Sequence, residues 1–315
     1  MKIVATDGFA LNPGDLNWES IARLGDLTIF DRTTTDEIVE RCAQADIILT
    51  NKVAFSRETL EKLPNLRCIC VLATGYNIID THAARERGVV VCNVPDYSSA
   101  SVAQHTFAFI LELANQIGLH SQSVRNGDWV NCKDFSYALT PLIELQGKSL
   151  GLVGFGNIGR KTAQIGKAFG MNVKYFTPSE KETDLADYLS LEELFSSCDF
   201  VSLHLPLKPD NQQFVNRELL GMMKNTAFLI NTSRGQLIHE QDLADALNAG
   251  TIAGAALDVL SVEPPPASNP LLNAKNCILS PHNAWMSREA RERIMSITEG
   301  NIRAFMENKP INVVN

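Results

Sequence analysis

Lys148–Ser149–Leu150–Gly151–Leu152–Val153–Gly154–Phe155–Gly156–Asn157–Ile158–Gly159–Arg160 is the stretch whose reading decides the fold. It reads as a short apolar strand, a G-x-G-x-x-G turn, and an amphipathic helix from Ile158 to about Phe169. Each glycine answers a steric demand. Gly154 permits the tight turn, Gly156 lets a pyrophosphate approach the backbone, and Gly159 lets helix and strand pack closely. Asn157 and Ile158, at the helix start, offer unpaired N–H groups and a positive dipole end to phosphates. With the strand before and the helix after both present, the run predicts a dinucleotide site.

Outward from this run, strands and helices alternate on both sides. Strands are predicted near Lys2–Thr6, Leu27–Phe30, Asp46–Thr50, Leu66–Leu72 and Val89–Cys92, with helices near Trp18–Leu24, Thr35–Ala43, Ser56–Lys62 and Asp80–Arg87. A second series follows, with strands near Ser149–Val153, Asn172–Phe176, Phe200–Leu203, Ala227–Asn231, Gly254–Leu257 and Cys277–Leu279. Such alternation means α/β architecture, with two doubly wound parallel-sheet domains. No glycine-rich loop follows the first strand, so the first half has another task. Between the halves, Ser98 to about Asn126 predicts one long connecting helix, and 127–146 an irregular loop bearing Trp129, Phe135 and Tyr137. A last helix, Ser287 to about Glu307, is expected to return to the first domain. The domains expected are therefore 1–98 with 287–315, and 99–286.

With 315 residues, 45% of them hydrophobic, the chain can bury two cores. The net charge of −8 argues against nucleic-acid or anionic-membrane partners. No apolar run approaches ~18 residues and no leader pattern opens the chain, so a cytoplasmic protein is expected. Seven cysteines without a C-x-x-C read as reduced thiols, with no metal site.

Three titratable residues stand just past successive strands of the cofactor half: Arg234, Glu263 and His282. Ligands of open α/β sheets bind outside the carboxyl ends of strands, so these three can converge on one cleft. Beside a nicotinamide, the chemistry that needs them is reduction of a 2-oxo acid. Hydride addition develops an alkoxide that a histidine can protonate. A carboxylate behind the ring favours the imidazolium, and a planar guanidinium grips the substrate carboxylate. His204 either lines the cofactor cleft or is a satisfied structural histidine; Trp285 either shapes the substrate pocket or anchors the last helix. His82, His105, His120 and His239 are assigned no chemistry.

These motifs resemble the D-isomer-specific 2-hydroxyacid dehydrogenases, within them the glycerate dehydrogenase (hydroxypyruvate reductase) branch. The likeness covers essentially the whole length. It rests on Gly151–Gly159, Asn231–Thr232–Ser233–Arg234–Gly235, Leu257–Asp258–Val259 with Glu263–Pro264, and Ser280–Pro281–His282. The resemblance implies a Rossmann-type cofactor domain inserted into a discontinuous flavodoxin-like substrate domain. It implies Arg234 as substrate anchor, Glu263 as partner of the imidazole, and His282 as acid/base. It further implies that Ala73, Thr74 and Gly75 hold the substrate carboxylate, with Asn51 and Lys52 beside them. Asp258 and Ala284 would meet the nicotinamide end of the cofactor, with Leu205, Pro206, Thr232 and Ser233 also against the cofactor. The arm near 120–146 would pack on a second subunit of a homodimer. Hydroxypyruvate and glyoxylate are the substrates implied. D-lactate-type or bulkier 2-oxo acids, and a non-catalytic NAD(H)-sensing corepressor-like protein, are the alternatives.

One position departs from the pattern. NAD sites carry Asp or Glu about 20 residues past the glycines, bonding the ribose 2′-hydroxyl. Here Thr177–Pro178–Ser179 takes that place. Loss of the carboxylate removes the repulsion that excludes a 2′-phosphate, so either NAD or NADP is compatible.

Overall fold

The computed structural model describes residues 1–315, which divide into two compact units: Met1–Ser98 with Met286–Asn315, and Ser99–Trp285.

Unit 1 is built on five parallel strands, β1 (Lys2–Ala5), β2 (Asp26–Ile29), β3 (Ile47–Thr50), β4 (Cys68–Val71) and β5 (Val90–Cys92), in the order β2-β1-β3-β4-β5. β3 and β4 are buried along their whole length, as continuous apolar runs covered on both faces must be. β2 forms one edge and is mostly exposed. The Arg288–Met306 helix joins this unit through an ion pair of buried Arg291 with Asp15, both contacts at 2.6 Å. The last residues close the sheet: Cys92 bridges Val313 antiparallel, and Val91 N–H donates to the Asn315 side chain at 2.8 Å. Cys68, Cys70 and Cys92 are fully buried on these strands as free thiols.

Unit 2 is a seven-stranded parallel sheet of β6 (Ser149–Val153), β7 (Asn172–Phe176), β8 (Asp187–Tyr188), β9 (Phe200–Leu203), β10 (Phe228–Asn231), β11 (Gly254–Leu257) and β12 (Cys277–Leu279). The order is β12-β11-β10-β9-β6-β7-β8, so it reverses between β6 and β9, where ligands of such sheets bind. Apolar clusters cover both faces. One gathers Leu194, Val201, Leu229 and Leu243, the other Phe107, Ile110, Leu152 and Ile230.

Two expectations are corrected here. The long helix 98–126 is two helices, Ser99–Asn115 and Ile117–Arg125. Gln116 sits in the left-handed region (φ 47°) and the Glu112 carboxylate accepts from Gly118 N–H at 3.1 Å, which caps the new helix. The apolar stripe that buries Val102 to Leu113 lapses there, since Ile117, Leu119 and Val124 are exposed. The unforeseen strand is β8. Two residues pairing at an edge, Lys174 with Asp187 and Tyr175 with Tyr188, are too short to leave a periodicity. No helix is long and apolar enough to cross a membrane.

Candidate active site

The carboxyl ends of β10, β11 and β12, neighbours in the unit 2 sheet, carry Arg234, Glu263 and His282 respectively. Each loop is held by buried polar groups. After β10, the fully buried Asn231 uses its amide twice, Oδ1 accepting from Ser233 N–H and Nδ2 donating to Arg234 O, both at 2.9 Å. Ser233 Oγ donates to Leu203 O at 2.7 Å, tying the loop to β9. The Arg234 guanidinium is left exposed, Nη1 donating to its neighbour's carbonyl, Ser233 O, at 2.7 Å. Gly235 lies so close to the next loop that a Cβ there would stand 1.9 Å from Leu260 C. That contact admits no side chain, and it fixes the spacing between the loops bearing Arg234 and Glu263.

Past β11, the Glu263 carboxylate works in two directions. Oε1 accepts from Leu260 N–H at 3.1 Å, and Oε2 accepts from His282 Nδ1 at 2.6 Å. With Nδ1 so engaged, Nε2 is the nitrogen left to face a ligand. His282 itself takes a left-handed backbone (φ 51°), uncommon for a residue with a Cβ. The turn is held by Asp258, which is 1% exposed. The carbonyl of Asp258 accepts from His282 N–H at 2.8 Å. Its carboxylate accepts from Ser280 Oγ, from Asn283 N–H at 2.9 Å and from Ala284 N–H at 3.0 Å. The two oxygens thus take three donors from the chain, leaving lone-pair capacity on Oδ2 for a ligand amide.

The glycine loop has the shape of a nucleotide cradle. Gly154 has φ +103°, and a Cβ on it would stand 2.2 Å from His204 O; one on Gly159 would stand 2.4 Å from Gly154 O. Gly156, by contrast, faces open space, with nothing within 4 Å. It stands as the cap of the Asn157–Ala168 helix, whose first N–H groups point to where a pyrophosphate would lie. These residues fit a dinucleotide.

His204, just past β9 and beneath this loop, is buried: Nε2 meets Ser202 Oγ at 3.0 Å, while Nδ1 has no partner within the chain. Burial pushes its imidazole down to about 3. It is therefore a neutral histidine with one orphaned nitrogen, which is not the satisfied structural histidine that is one of the two readings of its sequence. At the end of β7, Thr177 Oγ1 donates to Ser179 O at 2.6 Å, so its hydrogen is spent on the local turn around Pro178. Lys181 Nζ, however, donates to Phe155 O in the glycine loop at 3.2 Å, and the Arg160 guanidinium lies 4.8 Å from the Phe155 ring centre. Arg160 comes to Phe155 from the first turn of the Asn157–Ala168 helix.

In unit 1, Asn51 and Lys52 follow β3, their N–H groups held by the buried Asp7 carboxylate at 2.6–3.1 Å. Asn51 Nδ2 donates to Leu72 O at 2.9 Å, and Thr74 Oγ1 to Val94 O at 2.9 Å. The loop past β4 is thereby pinned on both flanks, while the N–H groups of Ala73, Thr74 and Gly75 donate to no backbone carbonyl. Trp285, half-buried, closes unit 2 directly after the His282 turn.

Residues 107–284 match the model for the D-isomer specific 2-hydroxyacid dehydrogenase NAD-binding domain. The chain belongs to this family. It is 45% identical over 321 residues to a hydroxypyruvate reductase of Blautia hydrogenotrophica, covering 100% of both chains. It is 38% identical over 283 residues to a glycerate dehydrogenase of Methylorubrum extorquens, covering 89% of each. Among solved structures, an acyclic imino acid reductase in complex with NADPH and D-arginine superposes with a TM-score of 0.87 at 31% identity, covering 100% of both chains. The dehydrogenase thus binds a nicotinamide cofactor and acts as an oxidoreductase.

Proposed function

We propose that the protein reduces hydroxypyruvate, and glyoxylate with it, to the D-2-hydroxy acid. The observation that carries this reading is the 2.6 Å contact of His282 with Glu263, one strand-end away from an exposed guanidinium. A bound reduced nicotinamide supplies the hydride. Arg234 grips the substrate carboxylate and polarises the adjoining carbonyl, a task that suits a planar two-pronged cation. Hydride addition leaves negative charge on the carbonyl oxygen, and His282 Nε2 delivers the proton there. Glu263 accepts from Nδ1, which fixes the ring and stabilises the cation before transfer. The N–H groups of Ala73, Thr74 and Gly75, with Asn51 and Lys52, are proposed to take the substrate carboxylate, and Trp285 to limit the substrate's size.

Gly154, Gly156, Asn157, Ile158 and Gly159 would hold the pyrophosphate. His204, Leu205, Pro206, Thr232, Ser233, Asp258 and Ala284 would line the remainder of the cofactor site. At the 2′ position no carboxylate repels a phosphate. Thr177 and Ser179 would sit there, with the cations Lys181 and Arg160 held against Phe155 of the glycine loop. NADPH is accordingly proposed to be accepted, and preferred. The reading extends to a homodimer through the 120–146 arm, where Val130 is 88% and Phe135 91% exposed. Such apolar exposure is what a subunit interface covers.

The test follows absorbance at 340 nm with hydroxypyruvate, glyoxylate and pyruvate, each with NADH and NADPH. Turnover fastest with hydroxypyruvate supports the reading; no turnover with any 2-oxo acid overturns it. A preference of tenfold or more for NADH would defeat the cofactor proposal alone.

A further inference from the structure

The helix Ser99–Asn115 brings His105 and Thr106 against two of the active-site loops. His105 Nε2 lies 3.0 Å from Ser280 Oγ and 3.7 Å from Asp258 Oδ1. Because Ser280 Oγ donates its own hydrogen to Asp258 Oδ1, the hydrogen between His105 and Ser280 must come from the histidine. The order is therefore His105 Nε2–H to Ser280 Oγ–H to the Asp258 carboxylate. The ring is packed edge-on against Phe109, centroids 4.6 Å apart, which holds Nε2 in this direction. The next residue repeats the arrangement one loop over. Thr106 Oγ1 donates to Val102 O, so the 3.1 Å contact with Thr232 Oγ1 is a donation from Thr232, two residues before Arg234.

We propose that His105 is a positioning residue for the reaction, acting through Ser280 and Asp258 to hold the His282 turn. The inference rests on the acid/base reading of His282. Asp258 receives Ser280 Oγ, His282 N–H, Asn283 N–H and Ala284 N–H. A left-handed residue persists only where its surroundings over-determine it, and at His282 those surroundings are Asp258. Asp258 is a buried polar group that needs its donors, and His105 Nε2–H is the donor on the far side of its Ser280 contact. Without that donor the carboxylate is less firmly directed, and the turn that aims His282 Nε2 loosens with it. A hydrogen-bonded chain ending on a charge couples more strongly than an isolated pair.

The experiment compares His105→Leu, His105→Gln, Ser280→Ala and the double variant His105→Leu/Ser280→Ala under saturating cofactor. Leucine removes the donor, while glutamine keeps an amide N–H near the place of Nε2. The expected result is a kcat about tenfold lower in His105→Leu, the scale of one hydrogen bond to a charged network. Substrate KM should stay within about twofold, and His105→Gln should recover most of the loss. Ser280→Ala should match His105→Leu, and the double variant should be no slower than either single one, as members of one chain require. Cofactor affinity, read by fluorescence quenching, should not change in any variant. A second readout needs no turnover: the His105 Nε2–H resonance should exchange slowly with water, and fast in Ser280→Ala. Wild-type kcat in His105→Leu, failure of glutamine to rescue, or multiplicative losses in the double variant each overturn the proposal. A wild-type protein that reduces no 2-oxo acid but keeps the slow resonance refutes the acid/base reading while leaving the chain in place.

Discussion

Replacing Glu263 by glutamine changes one charge and almost no volume, and the structure shows why that is not mild. Both carboxylate oxygens are in use, Oε1 accepting from Leu260 N–H at 3.1 Å and Oε2 from His282 Nδ1 at 2.6 Å. An amide has one acceptor oxygen. If that oxygen serves Leu260, the NH2 group faces Nδ1, and a protonated His282 meets donor with donor. If the amide is flipped, the conflict moves to the Leu260 N–H. A hydrogen bond to a charged group contributes about 1.5–3 kcal/mol, and here it is replaced by a clash or by a neutral bond that strands a backbone donor. Partial exposure of both side chains, 25% for His282 and 35% for Glu263, tempers the electrostatic share. A net loss of about 1.5–3 kcal/mol in transition-state stabilisation follows, which is roughly 10- to 150-fold in kcat/KM. The assay is initial-rate absorbance at 340 nm with hydroxypyruvate, run beside a fluorescence titration of the reduced cofactor. Cofactor affinity should hold within about twofold, since the glycine loop is untouched. A kcat/KM within twofold of wild type refutes the reasoning, because the carboxylate would then be dispensable to His282.

Gly154→Ala should abolish detectable cofactor binding in the same titration, since the added methyl stands 2.2 Å from His204 O at a residue with φ +103°; near-native affinity would show that the loop relaxes freely. His204 links stability to pH. Its folded value of about 3 lies below the ordinary 6.5, so only the unfolded chain takes up a proton between those values and stability falls as pH drops through that window. From pH 7 to 5 the loss attributable to His204 is about 2 kcal/mol, readable by urea unfolding. His204→Asn should flatten the curve over that range, and an unchanged slope would count against a neutral buried imidazole. Val130→Asp combined with Phe135→Asp should convert a dimer to monomer in sedimentation velocity, because these side chains are 88% and 91% exposed within one chain; a native sedimentation coefficient in the variant contradicts the proposed arm.

Much of the cofactor half is legible in the sequence because its constraints are local. Gly154 and Gly159 answer backbone distances that any residue with a Cβ would violate, and β6 reads as an apolar run before them while β7 reads as an alternating strand after the helix. Arg234, Glu263 and His282 stand out because strand ends recur at regular spacing. What escaped detection depends on distant contacts, on side-chain direction or on a lapse in an apolar stripe. His105 lies 175 residues from Ser280, and nothing in its helical neighbourhood marks the contact. Arg160 directly follows the last glycine of the motif, yet its place over Phe155 is a matter of side-chain direction. The break at Gln116 hid for another reason: the residue is an ordinary helix former, and the helix ends because its apolar face runs out. β8 is held mainly by its neighbour β7, so its own sequence carries little signal.

The central claim is that His282 delivers the proton in reduction of a 2-oxo acid. It is tested most directly by single-turnover absorbance at 340 nm with hydroxypyruvate, comparing the wild-type protein with His282→Ala, each loaded with reduced cofactor. General acid catalysis contributes about 10²- to 10⁴-fold, so the variant should bind the cofactor normally and lose a factor of that order in the transfer rate. A transfer rate equal to that of the wild type, with cofactor bound, contradicts the account.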